Sequence, residues 1–550
     1  MKRIVLILVI IIAACLPLSA NAATYNGGSG TSDTPYLIAS PADINTLGVT
    51  SGDWSKCFKL IADINMADFT GTQYQIIGNA TTKFTGTFDG NDHVISNLTY
   101  ITTSSSTYYV GMFGYTSYAQ IKNLGLDNVN FSAKSRFLGG LVGYQSYGSI
   151  ANCYITGKVS SNSSTSYSYV GGLIGYQTSG SAESCYNSAN ISSVSPHNAS
   201  YAGGLIGEQW YGTAEDCYSD GTVISSASSY SSYAGGLVAS QYHSTAANSR
   251  NTGSVTSSSS GSDSYAGGLV GDQFYGTITT CCSTGSVAST ASSNFSYSYA
   301  GGLLGVQDSS TVANCYSTGS VTSDTSSTLC YTYSGGLIGY QYNDSDVIIQ
   351  NCYSAGVVST SGTLTYKGGF LGYYGGKGTI TACFWDTDTS DANDFGSGSS
   401  TSVTGKSTDD MQTLSTFTDA GWDFIGETVN GPNDFWQMPT NDYPRLAYEE
   451  VYAAGDFNKD GIVDSADLAI FMSQWLCEEL NYDLYQDDDL HIVNFMDLNI
   501  FADSWAGDCL ELANFSDEWL EYDAYNADIA GDDDFVNMLD FAAFAKNWMK

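Results

Sequence analysis

A glycine pair followed by an aliphatic or phenylalanine residue recurs through the middle of the chain at an almost constant interval. The first glycine of each pair is Gly139, Gly171, Gly203, Gly235, Gly267, Gly301, Gly335 or Gly368. The successive spacings are 32, 32, 32, 32, 34, 34 and 33 residues, and a looser copy occupies residues 109–115. A period this regular predicts stacked structural units, each of which contacts its neighbours.

Other residue types keep fixed offsets from these glycines. An aromatic residue stands two positions before each pair, and a glutamine stands six positions after the first glycine in seven copies. Each unit reads as short strands joined by glycine turns and Ser/Thr-rich loops, without the 3.6-residue apolar period of a helix. The predicted fold is therefore mainly β: a right-handed parallel β-solenoid of about nine coils of ~33 residues, with the aliphatic residues after the glycines in its core.

The G-L-[IV]-G core, the N/S-C-Y segment and the spacing resemble the GLUG motif repeats of bacterial surface proteins. The flanks PYLIASPADINTLG and FTGTFDGNDHVISNLTY before the coils, and CFWDTDTS and DYPRL after them, extend the resemblance over about residues 33–447. It implies a β-solenoid and a cell-surface or secreted setting, but no reaction. Some immunoglobulin-cleaving metalloproteases carry these repeats beside a separate zinc domain. The sequence contains no His-Glu-x-x-His, so protease activity is not supported.

Cysteines form a further column, fourteen residues after the glycine in Cys153, Cys185, Cys217, Cys281 and Cys315. Metal-binding pairs usually lie two to four residues apart, so a spacing of ~32 residues without histidine companions argues against a metal site. Stacked coils allow an occasional disulfide, but buried free thiols are the favoured interpretation, with departures expected at Cys281, Cys282 and Cys330. The glutamines are expected to hydrogen-bond from coil to coil.

Aromatic residues follow the glutamine column and form a candidate ligand stripe. An exposed row of rings along a solenoid can stack on sugars or hold a partner protein, and the same rings can instead fill the space between turns. The residues are Tyr147, Trp210, Tyr211, Tyr242, Phe274, Tyr275 and Tyr342.

A catalytic site needs a local cluster, either two carboxylates a few ångströms apart or calcium carboxylates with a basic residue. Between residues 137 and 385 the only basic residues are Lys158, Arg250, Lys367 and Lys377. Different columns of different coils are expected to hold the acids Glu183, Glu208, Glu215 and Asp272. No catalytic residue is assigned, and a polysaccharide lyase, a glycoside hydrolase or an accessory subunit of a polysaccharide-degrading complex is kept as the alternative function.

The N-terminus indicates where the protein is located, and the net charge limits its possible partners. The start MKR, the apolar run IVLILVIIIAA and the small-residue end at Ala22 predict a signal peptide over residues 1–22. A lipoprotein signal that lipidates Cys15 is the alternative. No later segment has the ~20 apolar residues of a membrane span. The formal charge of −38 argues against nucleic acid as a partner.

The segment 448–550 is acidic and has helical periodicity. The stretch DFNKDGIVDSAD places oxygen ligands at positions 1, 3, 5, 7, 9 and 12 of a calcium loop, with Gly461 at its turn. These ligands are Asp456, Asn458, Asp460, Ile462, Asp464 and Asp467. Weaker calcium positions occur in IVNFMD and FVNMLD, namely Asn494, Asp497, Asn537 and Asp540. Calcium is thus the expected cofactor.

Aspartate at loop position 12 and a single following helix resemble a dockerin-type module, which implies a cohesin-like or cell-surface protein partner. The later loops depart from that pattern because they lack the turn glycine. Apolar Phe495-Met496 and Met538-Leu539 stand where the first loop has Ser465-Ala466, which puts cohesin binding in doubt.

Five segments follow from these patterns: a signal peptide (1–22), an N-terminal cap with the first coils (23–108), GLUG-type coils (109–386), a C-terminal cap (387–447) and a small α-helical EF-hand or dockerin-like domain (448–550). The predicted function is an exported, non-catalytic surface or extracellular protein. Its solenoid is expected to serve adhesion or glycan or protein binding, and its tail calcium-dependent docking.

Overall fold

The computed structural model describes residues 25–104, 107–163, 167–398, 400, 402–426 and 429–449. The predicted signal peptide with Cys15 lies outside the described residues. The same holds for every predicted calcium ligand from Asp456 to Asp540. These assignments stay predictions.

Each repeat forms one coil of a β-solenoid, so the mainly β prediction is confirmed. The solenoid has about ten turns rather than the nine expected. Strands that precede the first glycine pair already stack in the same way: Cys57–Leu60 pairs with Thr87–Asp89, which pairs with the strand Gln120–Ala133. Coil stacking thus begins before the glycine repeat does. The handedness stays a prediction.

One coil illustrates the path of the chain. The strand Ser200–Gly203 forms a first arm, the chain bends sharply at the glycine pair, and Ile206–Trp210 forms a second arm. A corner at Tyr211 leads to the short strands Thr213–Glu215, Tyr218–Ser219 and Val223–Ala227, which return the chain to the next coil. Each coil therefore contributes to two sheets.

The smaller sheet contains 18 strands from the two arms. The first arms are Tyr109–Val110, Phe137–Gly139, Ser168–Gly171, Ser200–Gly203, Ser232–Gly235, Ser264–Gly267, Tyr297–Gly301 and Tyr331–Gly335. The second arms are Phe113–Ser117, Val142–Ser146, Ile174–Thr178, Ile206–Trp210, Val238–Tyr242, Val270–Phe274, Leu304–Asp308 and Ile338–Gln341. Leu364–Tyr374 is one strand that runs through both arms, and Asn393–Phe395 ends the sheet.

The larger sheet contains 28 strands. Its first half is Tyr36–Ile38, Cys57–Leu60, Ile64–Asn65, Thr87–Asp89, Val94–Ser96, Thr99–Ile101, Gln120–Ala133, Ser149–Asn162, Ser181–Glu183, Tyr186–Ser195, Thr213–Glu215, Tyr218–Ser219, Val223–Ala227 and Thr245–Ala247. Its second half is Arg250–Asn251, Val255–Ser259, Thr277–Thr279, Cys282–Ser283, Val287–Ala291, Thr311–Ala313, Tyr316–Ser317, Val321–Asp324, Ile348–Gln350, Tyr353–Ser354, Val358–Thr360, Thr379–Thr381, Cys383–Asp386 and Val403–Lys406.

Neighbouring coils pair in parallel and in register. Tyr169 pairs with Tyr201, and Tyr201 pairs with Tyr233, so equivalent residues lie directly above one another at ~4.8 Å per coil. A sequence position thus becomes a column along the solenoid.

The core confirms three of the expected columns. Leu205 and Ile206 are fully buried, as are their equivalents in the other coils. Every cysteine from Cys153 to Cys383 is a buried free thiol, including Cys281, Cys282 and Cys330 where departures were expected. Part of the glutamine column bonds from coil to coil: Nε2 of Gln177 donates to Oε1 of Gln145 at 2.9 Å, and the Gln209–Gln177 and Gln241–Gln209 bonds are 2.7 Å. This ladder ends at Gln241, since Gln273 and Gln341 bond to other groups of the next coil and Gln307 bonds within its own coil.

Few helices are present in the described part of the chain. The longest is Pro41–Val49, whose N-cap Ser40 accepts from the Asp43 amide. A 3₁₀ turn, Ser51–Asp53, follows it. Short helices at Thr387–Ser390, Thr408–Met411 and Leu414–Thr418 belong to the C-terminal segment. Among the described helices, none is long and apolar enough for a bilayer crossing.

The segment after residue 407 folds back against the side of the last coils. Its Trp422 and Trp436 are fully buried and pack with Tyr316 and Tyr353 of the larger sheet. The Tyr353 hydroxyl donates to the Pro444 carbonyl at 2.7 Å. Trp436–Gln437 and Arg445–Leu446 form a separate two-stranded antiparallel sheet in this segment.

Candidate functional site

The seven residues of the predicted ligand stripe occupy two columns rather than one. Tyr147, Tyr211 and Tyr275 lie at the corner after the second arm, where φ is 58°, 53° and 51°. Their exposed fractions are 43 %, 56 % and 50 %. Trp210, Tyr242 and Phe274 precede the corner in neighbouring positions and are half-buried. Tyr342 lies further along the solenoid, with its ring 5.0 Å from that of Tyr340.

The corner column also contains two residues that the sequence interpretation missed. Tyr118 stacks on Tyr147 with ring centroids 4.6 Å apart. His243 stacks between Tyr211 and Tyr275 at 5.1 and 4.9 Å. The offset from the glycine pair identifies His243 as the equivalent of Tyr211, 32 residues later. We call Tyr118, Tyr147, Tyr211, His243 and Tyr275 the corner stripe.

A second aromatic surface covers the outer face of the two arms. One column holds the aromatic residue that precedes each glycine pair, with Tyr201 and Tyr265 each 4.5 Å from the ring of Tyr233. The facing column belongs to the second arm and presents Tyr176 edge-on to Tyr169 at 5.4 Å. The same edge-to-face contact recurs at 5.2 Å between Tyr333 and Tyr340.

The facing column loses its rings in the middle of the solenoid. Tyr176 pairs with Glu208, Glu208 with Ser240, and Ser240 with Asp272. Val306 follows, and the tyrosines resume at Tyr340. The expectation that Glu208 and Asp272 lie in different columns is therefore wrong. Both stand five residues after the first glycine of their coil, so they share a column two coils apart. Glu183 and Glu215 likewise pair directly, on the larger sheet.

The middle of the column holds shorter polar side chains in place of the rings: Glu208 and Asp272 are buried, and Ser240 between them is half-buried. Side chains two residues apart on a strand point to the same side, so Trp210 accompanies Glu208 there. Nε1 of Trp210 donates to Oε1 of Glu208 at 2.7 Å. We call this stretch of the column, with the aromatic columns on either side of it, the acidic notch. Its floor is Glu208, Ser240 and Asp272, and its walls are Tyr201, Tyr233 and Tyr265 on one side and Trp210, Tyr242 and Phe274 on the other.

Burial shifts the acids of the notch toward their neutral forms. Desolvation raises the pKa of Glu208 to about 7, opposed by the Trp210 hydrogen bond, Tyr169 and Arg136. Desolvation and then the nearby Asp308 and Glu208 carboxyls raise the pKa of Asp272 to about 8. Removing a carboxylate from water disfavours its charge, which explains both directions.

No group of three or more His, Cys, Asp or Glu residues suited to a metal ion occurs in the described ranges. The acidic notch itself offers two carboxyls between aromatic columns.

GLUG motif repeats are present in the chain. The family model described as "The GLUG motif" matches residues 138–160, 166–192, 198–224 and 296–322. The third match contains Glu208, Trp210 and Tyr211, so parts of both aromatic surfaces lie on a recognised repeat.

Two curated proteins are similar to parts of the chain. A "Putative Gly-rich membrane protein" of Evansella cellulosilytica is 36 % identical over 115 residues, which are 20 % of this chain and 12 % of that protein. The "Halomucin" of Haloquadratum walsbyi is 32 % identical over 146 residues, which are 25 % of this chain and 2 % of that protein. The matched region thus spans only a small part of either relative.

One solved structure is similar at low level. A crystal structure of a "putative immunoglobulin A1 protease" from Bacteroides ovatus matches with a TM-score of 0.34 and 19 % identity. The match covers 78 % of this chain and 96 % of the other. Values this low carry no functional argument.

Proposed function

We propose that this protein is an exported, non-catalytic binding protein of the cell surface or extracellular space. Its β-solenoid presents aromatic columns to an extended polysaccharide or glycoprotein glycan, and its C-terminal segment docks in a calcium-dependent way. The names of the two relatives, a membrane protein and a halomucin, support a surface setting. So does the predicted signal peptide.

The corner stripe is the observation that carries this proposal. Tyr211, His243 and Tyr275 present three stacked rings on successive coils, and Tyr211 and Tyr275 are each at least half exposed. Rings that serve only packing are buried, as Trp422 and Trp436 of the C-terminal segment are. A rigid row of exposed rings suits a ligand that is itself repetitive, because several weak stacking contacts add along its length.

Glycan binding tests the proposal directly. The mature chain, residues 23–550, is applied to a glycan array, and the affinity for the best ligand is then measured for the double variant Tyr211→Ala/Tyr275→Ala. Each lost ring contact is worth ~0.5–1.5 kcal/mol, so the double variant is expected to bind roughly 5- to 100-fold more weakly.

Tyr230 supplies the matched control, since it is 54 % exposed but lies in the loop between two strands, outside the corner stripe. Tyr230→Ala is expected to bind as the natural protein does. Equal binding by the double variant, or an array without any glycan signal, would refute a glycan role for the corner stripe.

The calcium-dependent tail is a separate part of the proposal. Six oxygen ligands from Asp456 to Asp467 have the spacing of a calcium loop, and metal binding commonly drives the folding of small domains. Circular dichroism of residues 448–550 is expected to show helix with calcium and a loss of helix with chelator. The variant Asp456→Asn/Asp460→Asn should weaken the response to calcium. Helicity that is the same with and without chelator would contradict the idea.

A polysaccharide-active enzyme is the second candidate, because Glu208 and Asp272 share one column. Two coils separate their backbones by about 10 Å, at the upper edge of the spacing used by inverting glycosidases. Such a reaction needs one neutral and one charged carboxyl, whereas burial raises the pKa of Glu208 to about 7 and that of Asp272 to about 8, so both acids are mainly neutral below pH 7. The non-catalytic proposal is therefore preferred. Sugar release from polysaccharide that persists through purification and disappears in Glu208→Gln would reverse that preference.

A further inference from the structure

A carboxyl oxygen of the acidic notch, Oδ1 of Asp272, is buried without a hydrogen-bond partner, and Asp272 is only 6 % exposed. A buried polar atom without a partner is energetically unfavourable, so native proteins seldom retain one without a reason. The Trp210 indole and the Tyr169 hydroxyl both hydrogen-bond to the Glu208 carboxyl, which leaves Oδ1 of Asp272 as the acceptor for an incoming donor.

The aromatic walls of the notch restrict which kind of donor group can bind there. Aromatic faces carry negative charge density, and Tyr233 and Tyr265 stand beside Asp272 closely enough for its carboxyl to contribute to the raised pKa of both phenols. A carboxylate acceptor among aromatic rings favours a group that is both cationic and rich in N–H donors. The net charge of −38 adds a long-range attraction for cations.

The chain itself places guanidinium groups on its tyrosine columns. Arg136 lies 4.9 Å from the ring of Phe137 and 6.0 Å from that of Tyr169, on the same outer face just before the notch. Arg250 lies 4.5 Å from Tyr218, and Arg445 lies 5.8 Å from Tyr316 while its Nη1 donates to the Tyr316 hydroxyl at 3.0 Å. Among the described residues, no Lys or Arg of the chain makes such a contact with a ring of the notch.

We infer that the acidic notch is a binding site for an arginine side chain of a partner polypeptide. The planar guanidinium packs against the aromatic walls while its N–H groups donate to Oδ1 of Asp272. This inference uses residues other than the corner stripe and goes beyond the proposed glycan binding, so either can fail without the other.

Proton release accompanies binding at this site. The groups that face Asp272 are the carboxyls of Glu208 and Asp308 and the phenols of Tyr201, Tyr233, Tyr265 and Tyr342. The Asp263 carboxyl contributes, after burial, to the raised pKa of the Tyr233, Tyr265 and Tyr342 phenols. Burial also raises the pKa of Asp263 itself. The Asp272 carboxyl, neutral below a pKa of about 8, must lose its proton to pair with a permanent cation. Binding therefore tightens as the pH rises toward 9.

Calorimetry with the mature chain and an acetylated, amidated tetra-arginine peptide tests the site at 150 mM salt. We expect the affinity at pH 9 to exceed that at pH 6 by at least roughly tenfold, since one proton is released per guanidinium bound. Asp272→Asn is expected to lower the affinity at pH 9 by about tenfold or more and to flatten its pH dependence. Tyr233→Leu, which keeps both acids, is expected to cost about 2- to 30-fold.

The matched control is Glu215→Gln, which removes the same formal charge from an exposed position on the larger sheet. It is expected to bind as the natural chain does, which separates the notch from general attraction to an acidic protein. A tetra-lysine peptide should bind more weakly than tetra-arginine, because an ammonium lacks the planar fork. Undiminished binding by Asp272→Asn, no binding of tetra-arginine, or tighter binding of a glucosamine tetramer would each overturn the inference.

Discussion

At the scale of single residues, Glu208 and Asp272 matter because they occupy positions where other coils place a tyrosine ring. A ring there packs edge-to-face against the first arm, as Tyr176 does against Tyr169. A carboxyl of similar burial gains no such contact and loses its hydration, so it stays protonated at pH values where a surface carboxyl is charged. Both acids therefore lower the stability of the free protein at neutral and alkaline pH.

Asp272→Asn is expected to stabilise the protein at pH 9. The carboxyl has a pKa near 3.8 when unfolded and about 8 when folded. Between these values the folded chain retains a proton that the unfolded chain has released. The free energy of unfolding is therefore highest below pH 3.8 and falls as the pH rises to about 8. Asparagine does not titrate. Since one pKa unit corresponds to about 1.4 kcal/mol, Asp272→Asn should raise the free energy of unfolding by about 3–5 kcal/mol at pH 9 and should change it little at pH 4.

Denaturant unfolding of both proteins at pH 4 and pH 9 measures this difference. Glu215→Gln, at an exposed acid, should keep the pH dependence of the natural chain. An Asp272→Asn variant that is less stable than the natural chain at pH 9 would contradict the assignment of a destabilising carboxyl.

At the scale of the coil, the glycine pair sets how closely the two arms approach. A Cβ on Gly203 would lie 1.8 Å from the Ile206 carbonyl oxygen, and one on Gly204 would lie 1.9 Å from the Gly236 oxygen. Both contacts are to backbone, which cannot move aside as a side chain can. Glycine is therefore required for the shape of the bend and not for a bound phosphate.

Gly204→Ala is expected to destabilise the solenoid by about 2–4 kcal/mol, because the added methyl must displace the neighbouring coil. Gly52→Ala provides the comparison, since a Cβ there has no atom within 4 Å and is expected to change stability by less than about 0.5 kcal/mol. Thermal unfolding of the two variants distinguishes them. Similar melting temperatures for both would show that the bend tolerates a side chain.

The repeat made this level of structure readable from sequence. An in-register parallel solenoid converts a fixed offset into a column, so the core aliphatics, the buried thiols and the glutamine ladder could all be predicted. The same rule predicts that Glu208 and Asp272 share a column, since both stand five residues after the first glycine of their coil. The expectation of different columns did not use this offset. His243 was missed because a histidine gains its stacked neighbours only from its place in the corner column.

At the scale of the whole molecule, the coils depend on their neighbours and on the segment that covers the last of them. Trp422, Trp436 and Phe417 bury the outward rings of Tyr316 and Tyr353. No local sequence pattern predicts this contact. It joins residues 40 or more positions apart, such as Trp422 Nε1 and the Ala382 carbonyl at 2.9 Å. The segment was predicted as a cap, but its lateral packing follows only from tertiary structure.

Trp422→Ala is expected to loosen the C-terminal coils and leave the middle coils intact. Removing a fully buried tryptophan costs about 3–5 kcal/mol, and in a stack of coils that loss acts mainly on adjacent units. Hydrogen exchange should become faster for peptides around residues 316–354 and stay unchanged around residues 201–210. Uniformly faster exchange along the solenoid would instead indicate a single cooperative unit.

Parallel, in-register stacking also makes the coils interchangeable. The coil that carries Glu208 and the next one share their bend, their glutamine and their Ser-Tyr-Ala-Gly arm, and they differ at the floor of the acidic notch. Exchanging two such 32-residue units would relocate a carboxyl along the rod while leaving the packing inside it almost untouched. Duplication followed by single substitutions is thus sufficient to give a chain of this kind new recognition surfaces, because the residues that fold it and the residues it displays occupy different columns.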